Sequence, residues 1–161
     1  MQNVSARTLA IIGALIAIGS IAPHQVAAQS AASTPSMTSL ERVAATAKGE
    51  LKSPFTVTPD IVTEGKNLYQ AKTCGACHGG TGSGLHCPSL INDAWIYGDD
   101  DDTLFRLVVL GSEGVLSGGY TRGDTEKHAG PMPGFGETLS DEQEVWKIIA
   151  YIRSLKTGGA N

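Results

Sequence analysis

The chain has 161 residues, a formal net charge of −4 and an apolar fraction of 41%. An acidic balance argues against nucleic acid or an anionic membrane as the partner. It favours a soluble protein that meets basic surfaces on other proteins.

Residues 1–28 are interpreted as an export signal. Arg7 supplies a positive charge, residues 9–21 are almost entirely apolar, and small residues at 26–28 offer a cleavage site. The apolar run is short for a membrane span, which needs about 20 residues. We therefore expect cleavage, a periplasmic protein and no stable membrane insertion afterwards; an uncleaved anchor is the alternative.

Residues 29–55 are rich in Ala, Ser and Thr. Leu40, Val43 and Ala47 could line a short helix, but we find no caps that enclose it. We predict a flexible tail here, followed by a domain at residues 56–158. That leaves about 100 residues, enough for one small domain.

The central motif is Cys74-Gly75-Ala76-Cys77-His78. Two thiols one helical turn apart can each add to a vinyl group of a haem, and the imidazole that follows can bind the iron. The spacing therefore predicts one haem c, covalently attached through Cys74 and Cys77, with His78 as an iron ligand. An export signal agrees with this, because c-type haem is attached outside the cytoplasm in bacteria.

Two other uses of this motif are weaker. A thioredoxin-like pair needs a βαβ setting, and no strands alternate with helices in the apolar pattern. A zinc site could combine the motif cysteines with Cys87 and one of His86 or His128, but it lacks a second tight pair of ligands.

Three longer helices are expected around the motif. The first is capped by Asp60 or Thr63, the second begins at the acidic residues 99–102 and ends at Gly111, and the third follows a capping box at Ser140 and Gln143. Gly65 lies inside the first helix, where it would allow the last helix to cross at close range. The acidic residues suit the positive end of a helix dipole; a docking surface is the alternative.

Over residues 58–157 the chain resembles the class I cytochromes c. The matching segments are Gly65-Lys66-Asn67-Leu68-Tyr69, Pro88-Ser89-Leu90, Met132-Pro133-Gly134-Phe135 and Ile149-Ala150-Tyr151-Ile152-Arg153-Ser154-Leu155. The resemblance implies an all-α cytochrome c fold, with three to five helices around one covalently bound haem. It also implies an electron carrier rather than an enzyme.

Met132 is expected to bind the iron opposite His78. Prolines on both sides of Met132 stiffen its loop, which can hold a weakly basic thioether in place. His86 and His128 are the competing ligands. The resemblance assigns the carbonyl of Pro88 to the second ring nitrogen of His78. The chain departs from the usual Gly-Pro here, since Cys87 supplies an unpaired thiol.

The redox partner is predicted from a second, shorter resemblance. Trp95 and Tyr97 carry donors that suit a haem propionate, although they could be ordinary packing aromatics. The Asn-Asp-x-Trp-x-Tyr stretch at residues 92–97 is similar to cytochrome cL. This resemblance implies that a pyrroloquinoline-quinone (PQQ) alcohol (methanol) dehydrogenase donates the electrons and that an oxidase or another cytochrome accepts them. A glycine-rich insert at residues 111–130 should border the haem. Two alternatives stay open: a general respiratory cytochrome c that serves an oxidase, and a haem sensor or enzyme with an open sixth site.

Overall fold

The computed structural model describes residues 36–123 and 130–157, and the predicted export signal lies outside them. The helices are α1 (Ser39–Ala45), α2 (Pro59–Ala71), α3 (Cys74–His78), α4 (Asp101–Ser117) and α5 (Glu142–Thr157). The all-α prediction is confirmed: within these residues the sole β pairing is an isolated bridge between Thr38 and Asp141. None of the helices described is both long and apolar enough to cross a membrane.

Helices α2 and α5 cross at Gly65, as the glycine predicted. A Cβ atom at Gly65 would overlap the carbonyl oxygen of Lys147, so only hydrogen fits there. One turn further along, the rings of Tyr69 and Tyr151 meet edge to face, with centroids 5.2 Å apart. The crossing therefore brings the two ends of the domain together directly before the Cys-x-x-Cys-His motif.

Both crossing helices begin at different caps from those expected. The Thr58 side chain accepts a hydrogen bond from the amide of Ile61 at the start of α2, where Asp60 or Thr63 was predicted. At the start of α5 the carboxylate of Asp141 accepts from the amide of Gln143 at 2.9 Å, one residue after the predicted Ser140. Both helices are confirmed; the cap of α2 lies two residues before Asp60 and five before Thr63, and the cap of α5 lies one residue after Ser140.

The structure differs from the expected flexible tail over residues 36–53, which pack on the domain. Helix α1 has a full capping box: the Thr38 side chain accepts from the Glu41 amide, and the Glu41 carboxylate accepts from the Thr38 amide. Ser39 is fully buried, and its hydroxyl donates to the carbonyl of Leu139 at 2.6 Å. The Thr-x-x-Glu pattern at residues 38–41 is the sequence signal that our prediction overlooked.

A buried ion pair holds the irregular chain after α1 against α4. Arg106 pairs with Asp102 within α4, and its guanidinium also donates to the carbonyl oxygens of Thr46 and Ala47. The Asp102 carboxylate accepts from the Leu51 amide and from the Tyr120 hydroxyl. Residues without regular structure are fixed here by charged side chains that lie far away in the sequence.

The acidic residues at 99–102 serve mainly the structure. Asp100 caps α4 through the amide and hydroxyl of Thr103, and Asp101 pairs with Arg153 of α5. Since Asp102 is buried as well, three of the four carboxylates have partners within the domain. The acidic residues are therefore better explained by their role at the start of α4 than by a docking surface for a partner.

Helix α4 (Asp101–Ser117) consists of two helical segments joined across Gly111, where the sequence predicts the helix to end. Gly111 interrupts it with φ 75° and ψ 177°, a conformation that only glycine adopts without strain. The first part of the predicted insert at residues 111–130 is consequently helical. The break in α4 is the feature that positions the methionine loop.

Candidate functional site

Helix α3 presents the motif as a single turn held at both ends. Thr73 precedes it in the left-handed conformation at φ 62°, and Gly79 follows at φ 82°. The Tyr69 hydroxyl donates to the carbonyl of Gly79 at 2.8 Å, and burial raises the pKa of Tyr69, which keeps this donor protonated. The turn is thereby anchored to α2.

Most of the predicted site residues line one cavity beside α3. The cavity holds about 1050 Å³ of empty space measured out to its mouth, and its walls are mainly apolar. Cys74, His78, Pro88, Trp95, Tyr97 and Met132 all line it. Leu104, Val108, Phe135, Ile148 and Ile149 supply much of the apolar surface.

The two motif thiols have different surroundings. Cys74 is half-buried in the cavity wall, and burial raises its pKa. Cys77 is exposed and is not among the lining residues. It contacts Cys87, which does line the cavity, and the amides of His86 and Cys87 both donate to the Cys77 carbonyl at 3.1 Å.

His78 is oriented by the backbone of Pro88. Its Nδ1 lies 2.9 Å from the Pro88 carbonyl oxygen, where a ring N–H would donate. That tautomer leaves the lone pair of Nε2 free for a metal ion. His86 is exposed, and His128 lies outside the described residues.

Met132 is held by the break in α4. The Ser112 amide donates to the Met132 carbonyl at 2.9 Å, and the Met132 amide donates to Ser112 Oγ, also at 2.9 Å. Further along, the amides of Phe135 and Gly136 donate to the carbonyls of Val108 and Val109 at 2.9 and 3.0 Å. Three backbone hydrogen bonds and one to the Ser112 hydroxyl therefore attach the loop to α4.

Trp95 provides an independent indication of what the cavity holds. Its indole Nε1 is buried and has no hydrogen-bond partner among the described residues. An unsatisfied donor in an apolar site is costly, so a bound molecule with an acceptor should complete it. A haem, with a flat apolar body and propionate oxygens, fits this cavity: Cys74 and Cys77 can form thioethers, and His78 and Met132 can bind the iron.

The zinc alternative finds no support in this geometry. Within the part of the chain described, no three His, Cys, Asp or Glu side chains gather in a group that could hold a metal ion. Cys87 lies beside Cys77, but a thiol pair alone is not a zinc site. Burial, and then the contact with Cys77, raises the pKa of Cys87 and disfavours the thiolate that zinc needs.

Sequence reasoning missed two residues that shape this site. The sequence pattern assigns Tyr69 no role at the site, whereas its hydroxyl fixes the end of α3. Ser112, which follows the break at Gly111, is not singled out by the sequence either. A glycine followed by a small polar residue inside an apolar helical pattern was the available signal.

Comparison with known proteins gives a consistent result. The cytochrome c family matches residues 62–156. A cbb3-type cytochrome c oxidase subunit, FixPc, from Rhizobium leguminosarum bv. viciae is 29% identical over 114 residues, covering 70% of this chain and 37% of that protein. The FixP subunits of Azorhizobium caulinodans and Sinorhizobium medicae are 36% and 28% identical, covering 57% and 72% of this chain and 28% and 37% of their own lengths. This chain thus spans less than two fifths of each of these relatives.

Proposed function

The chain belongs to the cytochrome c family and is an electron-transfer protein with covalently bound haem c, and on this premise we propose that it delivers electrons to a terminal oxidase. Relatives that are subunits of cbb3-type cytochrome c oxidases support this assignment. They favour the general respiratory carrier over the methanol dehydrogenase partner suggested by the resemblance to cytochrome cL.

The observation that carries the role as an electron carrier is the arrangement of donors around the cavity. Cys74 and Cys77 would hold the haem through thioethers, and His78 and Met132 would bind its iron. When bound, the haem supplies a one-electron Fe(III)/Fe(II) couple. Backbone contacts hold both ligands: Pro88 fixes His78 and Ser112 fixes Met132. The apolar walls would keep water from the haem, and Trp95 would donate to a propionate.

Two features that suggested a dehydrogenase partner have structural explanations. The stretch with Trp95 and Tyr97 lines the cavity, so its aromatics are accounted for without a partner. Asp101 and Asp102 pair with Arg153 and Arg106, and Asp100 caps α4, so the acidic run is accounted for without a docking partner. An open sixth site is disfavoured in the same way, because Met132 is a lining residue on a firmly held loop.

The proposal includes a periplasmic location. It rests on the export pattern at residues 1–28 and on the need to attach haem c outside the cytoplasm. A fusion of residues 1–35 to a reporter that is active only after export tests this location. An inactive reporter would contradict it.

The oxidase assignment is tested with the purified, reduced, haem-loaded protein. We expect rapid oxidation by membranes that contain a cbb3-type oxidase, in the presence of oxygen, and none by heat-treated membranes. The same protein, oxidised, is mixed with a PQQ alcohol dehydrogenase and its alcohol. Fast reduction by the dehydrogenase together with no oxidation by the oxidase would overturn the assignment and restore the dehydrogenase partner.

A further inference from the structure

We propose that Ser112 is a positioning residue for the iron ligand: through its amide and hydroxyl it fixes the backbone of Met132 and so sets how firmly the methionine sulfur stays on the haem iron. This inference rests on the proposed role of Met132. It assigns to one side chain a property, resistance to ligand replacement, that the ligand set alone does not determine.

The geometry gives Ser112 both polar groups of the Met132 backbone. Its amide donates to the Met132 carbonyl at 2.9 Å, and its Oγ accepts from the Met132 amide at 2.9 Å. Ser112 is only 5% exposed, so water does not readily replace these contacts. The ligand residue is therefore clamped at its own N–H and C=O groups.

The break at Gly111 makes this clamp possible. In an unbroken helix the Ser112 amide would donate to the Val108 carbonyl, four residues back. Here the Val108 carbonyl accepts from the amide of Phe135 instead, and the Ser112 amide is free to turn to Met132. Hydrogen bonds between α4 and the Met132 loop thus replace the helical hydrogen bond from the Ser112 amide to the Val108 carbonyl.

Helix α4 and the Met132 loop also approach each other too closely for any residue larger than glycine at the points of contact. A Cβ atom at Gly111 would lie 2.5 Å from the Met132 carbonyl oxygen, and one at Gly134 would lie 2.8 Å from the Val109 carbonyl oxygen. Pro131 and Pro133 stiffen the loop but do not attach it to the rest of the domain. The loop is attached through this contact with α4. Among the described residues, Ser112 supplies the only side-chain hydroxyl within hydrogen-bond distance of Met132.

Removing the hydroxyl should weaken the clamp without removing the ligand. In Ser112→Ala the partly buried Met132 amide loses its acceptor, and leaving such a donor unpaired shifts an equilibrium by about tenfold. The bound position of the loop is then less favourable, whereas a displaced loop can hydrate the amide. An added ligand should replace Met132 more easily.

The experiment titrates the ferric, haem-loaded protein with imidazole, whose nitrogen displaces the methionine sulfur from iron without any change of oxidation state. The far-red absorption band of methionine-ligated ferric haem reports the displacement. We expect Ser112→Ala to bind imidazole about tenfold more tightly than the unsubstituted protein. Ser117→Ala, the same change at an exposed site on α4, should bind it unchanged, and Ser112→Thr, which keeps the hydroxyl, should restore the original affinity.

Equal imidazole affinity in Ser112→Ala and the unsubstituted protein would overturn the inference, even if the variant unfolds more easily. Failure of the proposed ligand set looks different: the unsubstituted protein would lack the far-red band, or Met132→Ala would retain it. Hydrogen exchange in the unsubstituted holoprotein gives a test that needs no variant to fold. The Met132 amide should exchange as slowly as core amides of α5, and rapid exchange would contradict the clamp.

Discussion

Cys74 and Cys77 belong to one motif but lie in different surroundings. Cys74 faces the cavity, half-buried, and its raised pKa keeps it a neutral thiol before attachment. Cys77 is exposed and contacts Cys87. The proposed attachment therefore fixes one edge of the haem inside the domain and another near its surface.

Cys74→Ala and Cys77→Ala should each yield protein with a low haem content. Either variant loses one thioether and with it part of the apolar interior that the haem supplies. The ratio of haem to protein after acid extraction of unattached haem measures this. Cys87→Ala removes the neighbouring thiol and should keep the full content; normal haem in both motif variants would refute the attachment.

Trp95→Phe distinguishes a satisfied indole from an unsatisfied one. If Nε1 donates to a propionate in the haem-loaded protein, its loss should lower the free energy of unfolding by about 1–3 kcal/mol. If Nε1 stays without a partner, phenylalanine removes a penalty that offsets the cost of the volume lost with the indole, so stability should change little or rise. Urea unfolding of the haem-loaded proteins gives the sign, and a gain in stability would contradict the proposed donor.

At the scale of elements, the crossing of α2 and α5 depends on one missing methyl group. Gly65→Ala should lower the free energy of unfolding by at least about 1–3 kcal/mol, because the new methyl meets the backbone carbonyl of Lys147 and forces the helices apart. Urea midpoints measure the loss. Gly80→Ala is the matched control, since its Cβ would make only an ordinary 3.8 Å contact with Gln70; equal stability of the two variants would contradict the close crossing.

The elements that the sequence predicts well are those whose signals are local. The apolar spacing of α5, the glycine in α2 and the five-residue haem motif each depend on neighbours in the chain. Helix α1 has a local signal as well, the capping box of Thr38 and Glu41, but its packing on the domain depends on distant groups, among them Leu139 and Arg106, and could not be predicted from neighbours in the chain. The contact between α4 and the Met132 loop could not be predicted for the same reason, since Ser112 and Met132 lie 20 residues apart in the sequence.

On the scale of the whole molecule, the buried pair of Asp102 and Arg106 ties residues 43–51 to the core. Asp102→Asn leaves the Arg106 charge without its counter-ion and should lower the free energy of unfolding by about 3–5 kcal/mol. Asp99→Asn, in the same acidic run but exposed, should change it little. Similar losses in both variants would mean that the run acts only through its total charge.

The same carboxylate makes stability depend on acid. Burial alone would raise the pKa of Asp102, but hydrogen bonds from Tyr120, the Gly49 and Leu51 amides and Arg106 outweigh it and lower the pKa. Its stabilising effect is therefore complete above the ordinary value of about 3.9 and is lost as pH falls below it. Urea midpoints across this range should fall less steeply in Asp102→Asn; an equally steep decline would assign the acid sensitivity to other groups.

The position of the motif on α3 has a consequence for how unfolding depends on dilution. Both proposed thioethers and one ligand come from five consecutive residues, whereas Met132 lies at the cavity because its loop is docked on α4. Unfolding can therefore release Met132 while the haem remains tethered to its own chain. When a cofactor dissociates on unfolding, the unfolding midpoint depends on the concentration of protein and cofactor. A tethered haem cannot dissociate. The unfolding midpoint of the haem-loaded protein should therefore be the same at all protein concentrations, and a midpoint that rises with concentration would contradict the attachment.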